Sequence, residues 1–260
     1  MTTDNHSFST IKHFNEDVEY IILSIIKSKK KFDPMIFLIL KYQITFLVDS
    51  KNNVIKALID YEVKAIGAGH LNGIAIQFLE QKSKEYTRHG GSIYESVNGG
   101  ARIDPAESSV IILSSNIFET ISPNTYKNDG EGPDGTPYKN VVEIVFNAGS
   151  KFKSSKIHPD LFIFRTANRG LEVHLPGVPP SEAADQALFG TKEDNSINGD
   201  WYKTSENYPW GMEVHGVEGF LHPLSRISII NAYPEFATWV SSGGEDNQSW
   251  YQAPDINLCY

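Results

Sequence analysis

The stretch Val54–Ile66, VIKALIDYEVKAI, alternates apolar and polar side chains with a period of two. Its odd-numbered positions from Ile55 to Ala65 are all apolar, which predicts a strand with one buried face. The preceding segment Tyr42–Val48, YQITFLV, is rich in β-branched and aromatic residues, and the letters KNN between the two segments are a turn signal. Together the two segments predict a β-hairpin.

The rest of the chain has the same strand-rich character. Further strands are predicted at Gly73–Phe78, Val110–Leu113, Val141–Phe146, Leu161–Arg165 and Leu171–Leu175. Helices are predicted at Ser181–Leu188, Leu224–Ala232 and Pro234–Ser242. Many strands, few helices and no alternation of strand with helix predict an all-β fold, namely a β-sandwich of jelly-roll type with a few short helices.

The N-terminal part of the chain lacks the strand pattern. We expect residues 1–35 to form an appendage and residues 36–260 to form the main domain. Val18–Ile26 and Met35–Leu40 are apolar but too short to span a bilayer, which takes roughly 18–20 residues. They predict a short helix and a buried strand, with an amphipathic membrane anchor as the alternative. The polar start of the chain does not look like an export signal.

Composition limits the function classes. The chain has 260 residues, 40% of them hydrophobic, which is typical of a globular protein. Its formal net charge of -9 disfavours binding to the phosphate backbone of nucleic acids. Cys259 is the single cysteine, which excludes an internal disulfide and multi-cysteine zinc or iron–sulfur sites. We therefore expect no nucleic-acid partner and no transmembrane segment.

Several long segments carry a family resemblance. They are VKAIGAGHLNGIAIQF at 63–78, NRGLEVHLPGVPPSEAADQALFGT at 168–191, WYKTSENYPWGMEV at 201–214 and IINAYPEFATWVSSGG at 229–244. In this order they resemble the LruC-domain family of bacterial cell-envelope proteins, over about residues 42–251. The resemblance implies a β-rich domain of secreted proteins or surface lipoproteins, and hence a cell-surface or extracellular location. It supplies no reaction, because the family's molecular activity is not established. An acidic segment typical of relatives is reduced here to Asp33.

Two E-x-H pairs are candidate metal ligands. The pairs are Glu172/His174 and Glu213/His215, and a strand would place both members of a pair on one face. If the strands were neighbours, the four side chains could hold zinc or another divalent metal. The alternative is a set of polar side chains hydrogen-bonded to nearby loops. Calcium could be bound by a loop with Asp129, Glu131 and Asp134, although a solvated loop explains the same residues.

Aromatic residues concentrate late in the chain. Trp201, Tyr202, Tyr208 and Trp210 either contact a ligand, as in carbohydrate-binding β-sandwiches, or fill the core and pin loops. Trp239 is expected to lie on the predicted helix at Pro234–Ser242 and to pack into the protein core. No nucleophile elbow, dinucleotide fingerprint or other catalytic signature occurs.

The sequence therefore predicts a non-catalytic envelope domain without a cofactor, which binds a surface ligand, a glycan or a protein, or has a structural role. Two alternatives stay open at this point. One is a carbohydrate-binding module that uses the late aromatic residues, and the other is a metal-dependent hydrolase built on the E-x-H pairs.

Overall fold

A computed structural model of the chain describes residues 10–23, 38–66, 71–89, 93–120, 138–150, 152–190, 194–196, 199–214, 220–224 and 227–260, with the backbone alone for 10–23. These residues form twelve strands: β1 (Thr10–Leu23), β2 (Leu38–Val48), β3 (Val54–Ile66), β4 (Asn72–Lys82), β5 (Glu85–Thr87), β6 (Tyr94–Val97), β7 (Arg102–Ile103), β8 (Val110–Ser114), β9 (Tyr138–Phe146), β10 (Ile157–Arg165), β11 (Asn168–Val173) and β12 (Gly211–Val214). They also form three short helices: α1 (Ile117–Thr120), α2 (Ile229–Ala232) and α3 (Phe236–Ser241).

The strands make two antiparallel sheets. The first sheet has the order β12-β1-β2-β3-β9-β6. The second has the order β11-β10-β4-β8-β7, with β5 paired to β4. The predicted hairpin is confirmed, because β2 pairs with β3 around a turn in which Asn52 adopts a φ of 61°. The all-β sandwich is thereby confirmed, while the jelly-roll strand order stays a prediction.

The core between the sheets follows from the alternation of side chains. On β3, Ala57, Ile59, Tyr61 and Val63 are at most 1% exposed and pack against the other sheet, whereas Asp60 on the opposite face is exposed. Residues facing them from the second sheet include Ile76, Phe78, Leu161 and Ile163. Apolar side chains at every second position therefore hold the two sheets together.

The second sheet also buries its outer face. Ala75, Val110, Ile112, Phe162 and Phe164 form a separate apolar cluster there. Gly73 lies opposite Phe164 in the register, and a Cβ on Gly73 would come within 2.3 Å of the Phe164 ring. Glycine at this position therefore allows the Phe164 ring to lie flat on the neighbouring strand. The chain that follows β11 covers this face.

A third cluster lies on the outer face of the first sheet. Met212 and Val214 of β12 pack there with α2, α3 and Trp250. Ile39 of β2 belongs to the same cluster, whereas its neighbour Leu40 points into the core between the sheets. Of the helices within the described ranges, none has the length and apolar character needed to cross a membrane.

Three predictions about local structure need correction or refinement. The helix predicted from Val18 is wrong over 18–23, which belongs to β1 and pairs with both β2 and β12. Residues 10–23 of the predicted appendage are therefore hydrogen-bonded into the first sheet. The helix predicted at Ser181–Leu188 is reduced to a 3-10 turn at Gln186–Leu188. The two later helices are confirmed in shorter form as α2 and α3.

Candidate functional site

Strand pairing brings carboxylates onto the outer face of the second sheet. Asp160 of β10 lies opposite Gln77 of β4, and Phe164 of β10 lies opposite Glu172 of β11. Since side chains alternate along a strand, Asp160, Phe164 and these partners point to the same face. Asp160 is 0% exposed and Glu172 is 1% exposed. Two carboxylates are thus buried on the same face of the sheet, and their charge must be compensated inside the protein.

His174 provides part of this compensation. Its Nδ1 lies 2.6 Å from Asp160 Oδ2, and its Nε2 lies 3.3 Å from Glu172 Oε2, near enough for an ion pair but away from good hydrogen-bond geometry. The imidazole is stacked between the rings of Phe162 and Tyr202, with centroids 4.0 and 4.9 Å away. Both nitrogens face carboxylates, so the ring favours the doubly protonated, cationic form.

Arg169 and Ser181 complete the surroundings of Glu172. Arg169 Nη1 donates to Glu172 Oε2 at 2.8 Å, and its Nε donates to Asp104 Oδ2 at 2.6 Å. The backbone N–H and the hydroxyl of Ser181 both donate to Glu172 Oε1, at 3.0 and 2.8 Å. Gln77 donates to Asp160 Oδ2 at 2.6 Å. We call Asp104, Asp160, Arg169, Glu172 and His174 the charged network.

The pKa values within the charged network follow from this geometry. Burial lowers the pKa of His174, but the carboxylates of Asp160 and Glu172 outweigh burial and raise it to about 9. Burial raises the pKa of Glu172, yet attraction from His174 and Arg169, together with the hydrogen bond from Arg169, holds it below its usual value. At neutral pH His174 and Arg169 are therefore cations held among carboxylates.

The structure brings only part of the predicted metal set together. Glu172 and His174 are neighbours, but Arg169 and Ser181 donate hydrogen bonds to Glu172, and His174 Nδ1 is bonded to Asp160. Glu213 lies in the first sheet, where it accepts a hydrogen bond from the Tyr42 hydroxyl. Across the described part of the chain, no group of three or more His, Cys, Asp or Glu side chains is arranged to hold a metal ion. His215 and the calcium-loop residues Asp129, Glu131 and Asp134 lie outside that part, so the predictions that involve them stay predictions.

A separate cleft opens between the first sheet, the end of α3 and the loops before β12. It has a volume of about 320 Å³. Three chain segments line it, and they contribute Leu175, Pro176, Lys203, Asn207, Pro209, Gly211, Met212, Glu213, Trp239, Val240, Gly243 and Gly244. Each segment belongs to one of the stretches on which the family resemblance rests.

Trp239 provides the aromatic wall of the cleft. One side of its indole packs on Phe236 and Trp250, with ring centroids 5.6 and 5.8 Å away. Other parts of the side chain remain partly exposed and face the cleft. Trp239, which was expected in the core, both packs on core residues and lines the cleft. The Gly243-Gly244 pair directly after the helix was the available signal, because small residues leave an aromatic edge uncovered.

The four aromatic residues predicted to contact a ligand lie in different surroundings. Tyr202 is 0% exposed, and its ring stacks on the imidazole of His174. Trp201 is partly exposed and packs edge-on against Phe189. Trp210 packs against Tyr202, and Tyr208 packs near the α3 side of the first sheet. None of the four is among the residues described as lining the cleft.

The geometry defines an antiparallel β-sandwich domain with a buried charged network and an open cleft. The chain belongs to the family described as Domain of unknown function (DUF4842), whose profile matches residues 52–251. A crystal structure of a Bacteroides ovatus protein, provisionally named a lipoprotein, has a similar fold. It aligns with a TM-score of 0.59 and 16% sequence identity over 96% of this chain and 76% of that one. No curated protein matches the chain.

Proposed function

We propose that this protein is a non-catalytic domain of the bacterial cell envelope, of the LruC type, and that it binds a ligand rather than transforming one. The quoted LruC-like segments contribute Arg169, Glu172 and His174 of the charged network and all the residues that line the cleft. The membership in a family of unknown function is compatible with this role. The likeness in fold to a Bacteroides ovatus protein provisionally named a lipoprotein supports an envelope location.

One observation carries the non-catalytic part of the proposal. Catalytic acids and bases must reach a substrate, yet Asp160, Glu172 and His174 are each at most 1% exposed. Their hydrogen bonds and ion pairs join them to one another and to Arg169, Gln77 and Ser181, while Asp160 Oδ1 has no hydrogen-bond partner among the described residues. Such a network holds the covering chain on the second sheet. A structural role therefore explains these residues better than a hydrolytic one.

The experiment uses purified protein and isolated bacterial envelope fragments. We expect the protein to sediment with the fragments, while mass spectrometry of the soluble fraction detects no new products. A protein that releases products, and loses that activity on Glu172→Gln substitution, would establish the hydrolase alternative. A protein that sediments with no envelope fraction would contradict the binding role. Metal analysis of protein purified without chelators should find far less than one zinc or calcium ion per chain.

The carbohydrate-binding alternative is a special case of this proposal. The aromatic residues that would serve it differ from those predicted, however, because Tyr202 is buried and Trp239 lines the cleft. A sugar site therefore has to be sought at Trp239 rather than at Trp201 or Trp210.

A further inference from the structure

The cleft has the size and position of a small-molecule site. Its volume of about 320 Å³ lies near the lower end of ligand pockets, which span roughly 300–1,000 Å³. It is separate from the charged network, and three different segments of the chain line it. A ligand with about one ring would fill it.

The lining of the cleft combines apolar surfaces with a few polar groups. Trp239, Pro176 and Pro209 provide flat apolar surface. Lys203 and Glu213 contribute one positive and one negative charge, so the charges on the lining sum to zero. This combination selects a neutral ligand that has both an apolar face and polar edges.

The polar groups of the cleft can interact with a ligand at little cost. Lys203 Nζ lies 3.3 Å from Asp200 Oδ1, and the Asp200 side chain is 44% exposed. A solvent-exposed pair of this kind is worth only about 0–1 kcal/mol, so the ammonium can turn toward a ligand. Glu213 accepts a hydrogen bond from the hydroxyl of Tyr42.

The glycine at position 244 keeps one edge of the indole accessible. Gly243 and Gly244 have φ angles of +71° and +93°, which end the helix and which other residues rarely adopt. A Cβ on Gly244 would lie 3.6 Å from Trp239 Nε1, and would therefore cover that edge of the ring. Within the described ranges, no acceptor is bonded to this N–H. It can donate to a ligand in the cleft.

These features exclude the other common ligand types. A purely apolar ligand would offer Lys203 and Asn207 no hydrogen bond in place of the water that it displaces. An anion would face the carboxylate of Glu213, and a cation would face the ammonium of Lys203. We infer that the cleft binds a single neutral sugar ring, with one ring face on the Trp239 indole and hydroxyl groups bonded to Lys203 and Asn207. This inference rests on the proposed binding function and names its ligand class.

The test measures binding of neutral sugars to the purified chain. Glucose, galactose, mannose, N-acetylglucosamine and their methyl glycosides are screened by saturation-transfer NMR, and binders are titrated calorimetrically. We expect at least one sugar to bind. Trp239→Ala and Lys203→Met should each weaken its binding roughly tenfold or more, because each removes a principal contact. The matched control Trp201→Ala removes a partly exposed tryptophan outside the cleft and should change the affinity less than twofold.

Each outcome separates this inference from the broader proposal. Trp239 also packs on Phe236 and Trp250, so if Trp239→Ala fails to fold, Lys203→Met decides the matter. Absence of binding to every neutral sugar, tighter binding of glucuronic acid than of glucose, or an unchanged affinity in Lys203→Met overturns the inference. If the protein still sediments with envelope fragments in those cases, the binding function stands with another ligand. If it does not, both fail.

Discussion

His174 should make the stability of this protein fall as the solution becomes alkaline. The folded protein holds the imidazolium between two buried carboxylates, which raises the pKa of His174 from 6.5 to about 9. A group whose pKa is raised on folding stabilises the protein fully below the unfolded value. That stabilisation is lost as the pH rises through the folded value. We therefore expect the free energy of unfolding to decrease between about pH 6.5 and pH 9.

The size of the effect follows from the size of the shift. One pKa unit corresponds to about 1.4 kcal/mol, so a change from 6.5 to about 9 corresponds to about 3 kcal/mol. Since the side chain is 0% exposed, solvent screening does not reduce this figure. This is a substantial part of the total stability of a typical domain, about 5–15 kcal/mol.

The assay is urea unfolding of the native chain and of His174→Gln at half-unit intervals from pH 6 to pH 10. The difference between the two proteins is the quantity of interest, because it cancels other groups that titrate at high pH. A matched control is His158→Gln, since burial lowers the pKa of His158 and its effect belongs below pH 6.5. The native minus His174→Gln difference should shrink by about 3 kcal/mol across the range.

The reasoning would be refuted by a difference that stays constant between pH 6.5 and pH 9. It would also be refuted by an NMR titration in which the His174 ring loses its proton below pH 7. Either result would mean that the buried imidazole is neutral at physiological pH. The two carboxylates would then have to be compensated by other groups.

Three further outcomes test the packing and the buried groups. Arg169→Met should destabilise the fold by about 3–5 kcal/mol in urea unfolding, because it leaves buried carboxylates without their cation; equal stability would show that the pair contributes little. Gly73→Ala should cost about 1–3 kcal/mol by thermal melting, and the double variant with Phe164→Leu should recover part of it, because the added Cβ meets the Phe164 ring. Cys259 is 8% exposed, and burial raises the pKa of its thiol to about 11, so it should react with a disulfide reagent at pH 8 far more slowly than the urea-unfolded chain does.

Local pattern was sufficient for most of the sheet structure. Alternation over Val54–Ile66 predicted both the strand and its buried face, because a period of two leaves one face for the core. The pattern failed where distant contacts outweigh local preference. Ser181 looks like a helix N-cap, but its N–H and hydroxyl bond to Glu172 in another part of the chain, and no α-helix forms at Ser181–Leu188.

The Glu172/His174 pair at the candidate site was also predicted only in part from the sequence. Spacing alone placed Glu172 and His174 next to each other, and left open whether they bind a metal or bond to protein groups. The answer depends on Asp160, which is 14 residues away from His174 along the chain and adjacent to it across the sheet. A spacing rule has no access to such a partner, because strand register is set by the packing of whole sheets.

Composition and periodicity thus specify an acidic, all-β chain whose strands bury alternate side chains, since those properties depend on each residue and its near neighbours. The charged network and the cleft require residues from distant segments to meet. Lys203, Glu213 and Trp239 line one cavity only because β12, α3 and the loop between β11 and β12 pack together. Which side chains face one another across that cavity depends on long-range packing, and the local sequence pattern therefore does not predict it.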